Sequence, residues 1–166
     1  MTTQLRWTVL ATSMAGLILA TLPLAVAGDE KALIGSYRLA KRTTLDGTLR
    51  TDPELVGFMT FTKGYRTVIM KWTGSDAKPV SIAFIGSYKL AGGQFCESVV
   101  HGANGDLGAP GVTYDTPSTT PACTAAVSDA SGLTFDIPSE KLRLRVMSDG
   151  IVATTPRWID HWEKLK

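Results

Sequence analysis

The chain has 166 residues, with 17 basic and 15 acidic side chains and a net charge of +2. A balance this even supplies no electrostatic argument for nucleic acid or an anionic membrane as partner. An apolar content of 44% is far from the profile of a disordered chain.

Residues 1–27 have the layout of a secretory signal peptide. Arg6 is a positive n-region, an apolar run follows from Trp7 to Leu24, and Ala25-Val26-Ala27 is a small-x-small cleavage site. Cleavage there makes Gly28 the first mature residue and leaves one 139-residue domain, 28–166, large enough for a real core. The expected location is periplasmic or secreted, with no stable membrane insertion after cleavage. Cys96 and Cys123 both lie in the exported part. In an oxidising compartment they are most simply one structural disulfide. Their separation is nothing like Cys-x-x-Cys, and two scattered His with two Cys make a poor zinc set, so no metal is expected.

Taken in order, the mature chain reads as strands punctuated by turns. Leu33 to Thr44 alternates, with Tyr37 and Leu39 on one face and Arg38 and Arg42 on the other. Asp46-Gly47 turns. Leu55 to Thr62 is a strand, Lys63-Gly64 a tight turn, and Tyr65 to Trp72 the returning strand. Val80 to Leu90 follows, then Ala91-Gly92-Gly93 as a turn and Gln94 to His101 as a strand. Gly-Ser-Tyr-basic-Leu occurs twice, at Gly35–Leu39 and Gly86–Leu90. Gly102 to Ala122 is rich in Gly and Pro and reads as a long loop suited to a lid. Cys123 to Ser128, Leu133 to Ile137 and Lys141 to Val146 are further strands, the last with its Leu-Leu-Val face inward and Lys141, Arg143 and Arg145 outward. Trp158 to Leu165 closes the chain, with Trp158 and Trp162 on the core face and His161 outward. The fold class is therefore all-β: a single antiparallel up-and-down barrel of about eight strands.

Leu33-x-Gly35-x-Tyr37-x-Leu39, the run Gly57 to Gly64 and Ile85-Gly86-Ser87-Tyr88 together resemble the bacterial lipocalin-like domains, small calycin-type barrels. The likeness is carried by Leu33 to His101. It departs from the family at Tyr37, where true lipocalins have Trp, and in the Gly/Pro-rich stretch with its Cys pair. The resemblance implies a barrel with an interior cavity; it implies neither a ligand nor a catalytic set.

Tyr37, Phe58, Met70, Trp72, Phe84 and Tyr88, with Phe61, come from successive strands. They either line a cavity for a small, largely apolar ligand or fill a closed core. The hydroxyls of Tyr37 and Tyr88 either orient that ligand or bond to backbone at a barrel end. Glu97 and His101, four apart, share a face, and the outer wall is the expected one. An inward pair would suit acid–base chemistry. Asn104-Gly105-Asp106 reads as a turn rather than a calcium loop. No nucleophile elbow, phosphate loop or dinucleotide fingerprint is present, so no catalytic residue and no cofactor is assigned. The expectation is a small-molecule-binding barrel. The alternatives are a cavity enzyme of isomerase or cyclase type and a periplasmic protein-binding module such as a protease inhibitor.

Overall fold

The computed structural model describes residues 30–74, 77–106 and 111–166. The expected signal peptide and its cleavage site lie outside them. Twelve strands run through the described residues: β1 (Gly35–Thr44), β2 (Leu49–Arg50), β3 (Leu55–Thr62), β4 (Tyr65–Thr73), β5 (Pro79–Ala91), β6 (Gln94–Asp106), β7 (Val112–Asp115), β8 (Ala122–Asp129), β9 (Gly132–Ile137), β10 (Leu142–Val146), β11 (Gly150–Thr154) and β12 (Trp158–Lys164). Short 3₁₀ turns lie at Glu30–Ala32 and Pro138–Glu140.

Ten of the strands close an antiparallel up-and-down barrel, with β12 pairing back onto β1. The short β2 and β7 sit beside β1 and β6, outside that closed path. The barrel is thus larger than the eight strands expected. The difference comes from the C-terminal third, where even the short Ile151-Val152-Ala153 run forms a paired strand, β11. Five hydrogen-bonded strands, β8 to β12, close the wall there.

Local sequence explains most of these elements. Along β3, Leu55, Gly57, Met59 and Phe61 point in, while Val56, Phe58 and Thr62 are exposed. Gly64, at φ 80°, makes the left-handed corner into β4 that a side chain would resist. Within the Gly102–Ala122 stretch, the described residues include strand as well as loop. Gly102 to Asp106 continues β6, including the expected Asn104-Gly105 turn. β7 then pairs antiparallel with β6, Tyr114 opposite Ala103. Cys96 and Cys123 are directly opposed on β6 and β8 and form the disulfide, fixing the register where β8 rejoins the wall. By loop length alone it contributes about 3–4 kcal/mol in the chain-entropy model.

The interior divides into two halves. At the closed end, Tyr37, Phe61, Tyr88, Phe95 and Phe135 form a continuous ladder of rings, with centroids from 4.1 to 6.4 Å apart. Leu33 is fully buried against this end, and Tyr37 Oη donates to its carbonyl at 3.0 Å. Tyr88 Oη donates to the Thr62 carbonyl at 2.9 Å. The two Gly-Ser-Tyr segments therefore meet at one height, the first entering β1 and the second near the finish of β5. Their hydroxyls seal the barrel end.

Burial, reinforced by the Glu30 carboxylate, pushes the Tyr88 phenol up to about 12 from its ordinary 10.0. A phenol held neutral in the fold stabilises it fully below pH 10, and that contribution is lost as pH rises toward 12. In an ultraviolet absorbance titration, the difference between wild type and Tyr88→Phe should therefore show one tyrosine ionising near 12. A difference curve centred near 10 would contradict this packing.

Candidate functional site

Towards the other end the aromatic ladder stops and the interior opens. A cavity of about 270 Å³ lies there, walled by Met59, Val68, Met70, Trp72, Ile82, Leu142, Ala153, Trp158 and Trp162. Arg42, Arg66, Glu140, Thr155 and Asp160 complete its lining. Val68, Ile82 and Glu140 also wall an adjoining recess, which is bounded by Phe84, Val99, Asn104 and Asp115.

Two arginines are buried in this half. Arg42 donates from Nε and Nη2 to Asp160 Oδ1 and Oδ2, at 2.6 and 2.8 Å. Its guanidinium carbon lies 4.4 Å from the ring centre of Trp158 and 5.4 Å from that of Trp72. Such stacking suits a guanidinium, which is planar and weakly hydrated. Arg66 donates to Glu97 Oε1 and Oε2 at 2.8 and 3.0 Å, and also to Glu140 Oε1 at the mouth. Phe84 covers it at 4.6 Å. Burial works against the Arg66 charge, but Glu140 and Glu97 hold its pKa above the ordinary value. Burial pushes the Glu97 carboxyl up, and Arg66 opposes that shift.

Backbone irregularities set both pairs. In β1 the pairing with β12 slips by one residue between Leu39 and Lys41. A bulge adds one residue and so reverses the in/out phase beyond it. Arg42, expected on the outer face with Arg38, is therefore turned inward, opposite Asp160. In β6 a second slip places Val99 opposite Gly86 and His101 opposite Ile85, leaving Val100 as the extra residue. Glu97 and His101 consequently lie on opposite faces. Glu97 is inside, against the expectation of the outer wall, and His101 is outside, 5.9 Å from the Tyr114 ring. Gly86 supplies room for the inner pair: a Cβ there would come within 2.6 Å of Glu97 Oε1.

The expected cavity residues separate accordingly. Met70 and Trp72 line the cavity, and Phe84 walls the recess beside it. Tyr37 and Tyr88 belong to the packed closed end instead. Phe58 is on the outer wall, 48% exposed. It lies three residues from the inward Phe61, and an odd spacing on a strand puts two residues on opposite faces. Sequence reasoning missed Arg66, Glu140 and Asp160, although two of them carry a signal. Arg66 is in phase with Val68, Met70 and Trp72, and Asp160 is in phase with Trp158 and Trp162.

The carboxylates of Glu97 and Asp160 are each engaged through both oxygens by an arginine. Neither is positioned as a free general base or acid. No group of three or more His, Cys, Asp or Glu is arranged to hold a metal ion among the described residues. No family model matches the chain, and no significant match is found among curated proteins or solved structures.

Removing one partner of a buried ion pair strands the other charge and costs about 3–5 kcal/mol, whereas replacing both with apolar residues is often neutral. Arg66→Met should therefore lower unfolding stability in urea by about that amount, and Arg66→Met with Glu97→Met should recover most of the loss. Equal losses in the single and double variants would show that Arg66 and Glu97 are not coupled.

Proposed function

We propose that this protein is a lipocalin-like carrier or scavenger that holds a small, largely apolar molecule in the open half of its barrel. The observation that carries this reading is the cavity of about 270 Å³ beside an otherwise tightly packed aromatic interior. Its walls are mainly apolar and aromatic, and its charges are already compensated by one another. Desolvating a ligand against such walls supplies about 25 cal/mol per Å² of apolar surface buried, while a few polar groups fix orientation.

The disulfide favours an oxidising compartment outside the cytoplasm, in keeping with a cleaved leader and a periplasmic or secreted protein. Among the described residues no helix is long and apolar enough to cross a membrane. A carrier fits the site better than an acid–base enzyme does, because the inward carboxylates Glu97 and Asp160 are held by arginine and His101 is outside.

Native mass spectrometry of the protein purified from its own host should show a bound small molecule that is released on denaturation. Ala153→Phe, which places a ring in the cavity, should abolish that binding; Phe58→Ser on the outer wall should retain it. An empty wild-type protein that also takes up no hydrophobic fluorescent probe would count decisively against the carrier reading.

A further inference from the structure

The outer wall of β3 to β7 carries an apolar face that the cavity does not use. Strand register places one residue from each strand in a single row: Phe58 opposite Ile69, Ile69 opposite Ala83, Ala83 opposite Ala103, and Ala103 opposite Tyr114. Phe58, Ile69 and Tyr114 are 48%, 57% and 65% exposed. Val56, Ile85 and Val112 are exposed as well, each two residues along a strand from the row. The short β7, outside the closed barrel path, widens this face by one strand. Arg38 on β1 continues the row at its other end, opposite Phe58.

The exposed parts of the six large side chains amount to roughly 600 Å², the upper end of the largest apolar patch on a typical monomer. With the Ala and Thr residues between them, the face approaches the roughly 800 Å² that each partner contributes to a stable interface of standard size. Its relief is complementary to itself. Along the row, one half is raised (Phe58, Ile69) and the other is a valley (Ala83, Ala103). In a twofold contact residue i meets j while j meets i. An axis parallel to the strands, between β4 and β5, reverses the row. It seats Ile69 of each copy on Ala83 of the other, Phe58 on Ala103, and Arg38 beside the Tyr114 ring, where a guanidinium is favourably placed. The centre of the contact holds no charge, so identical faces meet there without repulsion. Lys71, two residues from Ile69, lies at the margin with its head in water.

We propose that the outer wall of β3 to β7 is the interface of a homodimer in solution, in which Phe58 and Ile69 of each copy pack into the Ala83–Ala103 valley of the other. This inference is independent of the ligand-binding reading above, because the face and the cavity lie on opposite sides of the wall.

The test is analytical ultracentrifugation of the protein purified from its own host. At about 200 µM, above the dissociation constants usual for interfaces of this size, it should sediment with twice the mass of one chain and dissociate on dilution. Ile69→Lys and Ala83→Asp each put an unpaired charge into the contact and should each weaken association at least about hundredfold. Mixing the two variants should restore a dimer: one contact then joins the introduced ammonium to the introduced carboxylate, and its twofold mate is native. Ile159→Lys, at an exposed position on β12, should leave association unchanged. A monomeric wild type at that concentration would overturn the proposal, as would a dimer that survives Ile69→Lys and Ala83→Asp. Variants that stay monomeric when mixed would show that Ile69 and Ala83 are not partners and overturn the proposed contact. If the charged variants fail to fold, Phe58→Ser decides instead: it should weaken association about tenfold, and an unchanged dimer would place the interface elsewhere.

Discussion

A guanidinium group cannot leave water uncompensated, and this barrel takes two of them inside. The Arg66–Glu97 pair joins β4 to β6 across β5, where Gly86 leaves the space it needs. The Arg42–Asp160 pair sits on the seam where β1 meets β12 and the barrel closes. A buried ion pair contributes little net stability against a well-packed apolar alternative. Its geometric demands are strict, however. Each charge must keep its bidentate partner, and the aromatic rings stacked on the guanidinium groups must keep their places. Interior positions that carry phenylalanine and tyrosine at the closed end carry arginine, aspartate and glutamate here, and the remaining volume is left as a cavity.

The interior is divided into a packed half and a hollow half. The closed half fixes the shape through five contacting rings, some edge-on and some stacked, and two tyrosine hydroxyls bonded to backbone. The open half offers apolar walls and matched charges. Arginine already claims both oxygens of each inward-facing strand carboxylate, Glu97 and Asp160.

Much of the architecture was legible from the residues. Alternation and Gly-containing turns fixed the hairpins from β1 to β6, the inward Leu142, Leu144 and Val146 of β10, and the inward Trp158 and Trp162 of β12. The cysteine pairing followed from compartment and count. What escaped was phase. A bulge leaves no residue-type signature, so nothing in Leu39-Ala40-Lys41 announced that Arg42 would turn inward, nor in Val99-Val100-His101 that Glu97 and His101 would part. Arg66 and Asp160 escaped for another reason. Their even spacing from inward tryptophans marked them, but a charged residue on an apolar face reads as solvent-exposed unless its partner is known, and those partners lie 31 and 118 residues away. Phe58 shows the converse, an aromatic residue whose odd spacing from Phe61 outweighs its hydrophobicity.

The central claim is that two arginines are buried inside the open half of the barrel, among its apolar walls. Arginine side-chain Nε–H resonances, followed by NMR with solvent-exchange measurements, test it most directly. Arg42 and Arg66 should give resolved Nε–H signals that exchange slowly and persist in high salt, while the exposed Arg38, Arg143 and Arg145 exchange fast. Equally fast exchange at all five would place Arg42 and Arg66 in solvent and contradict the account.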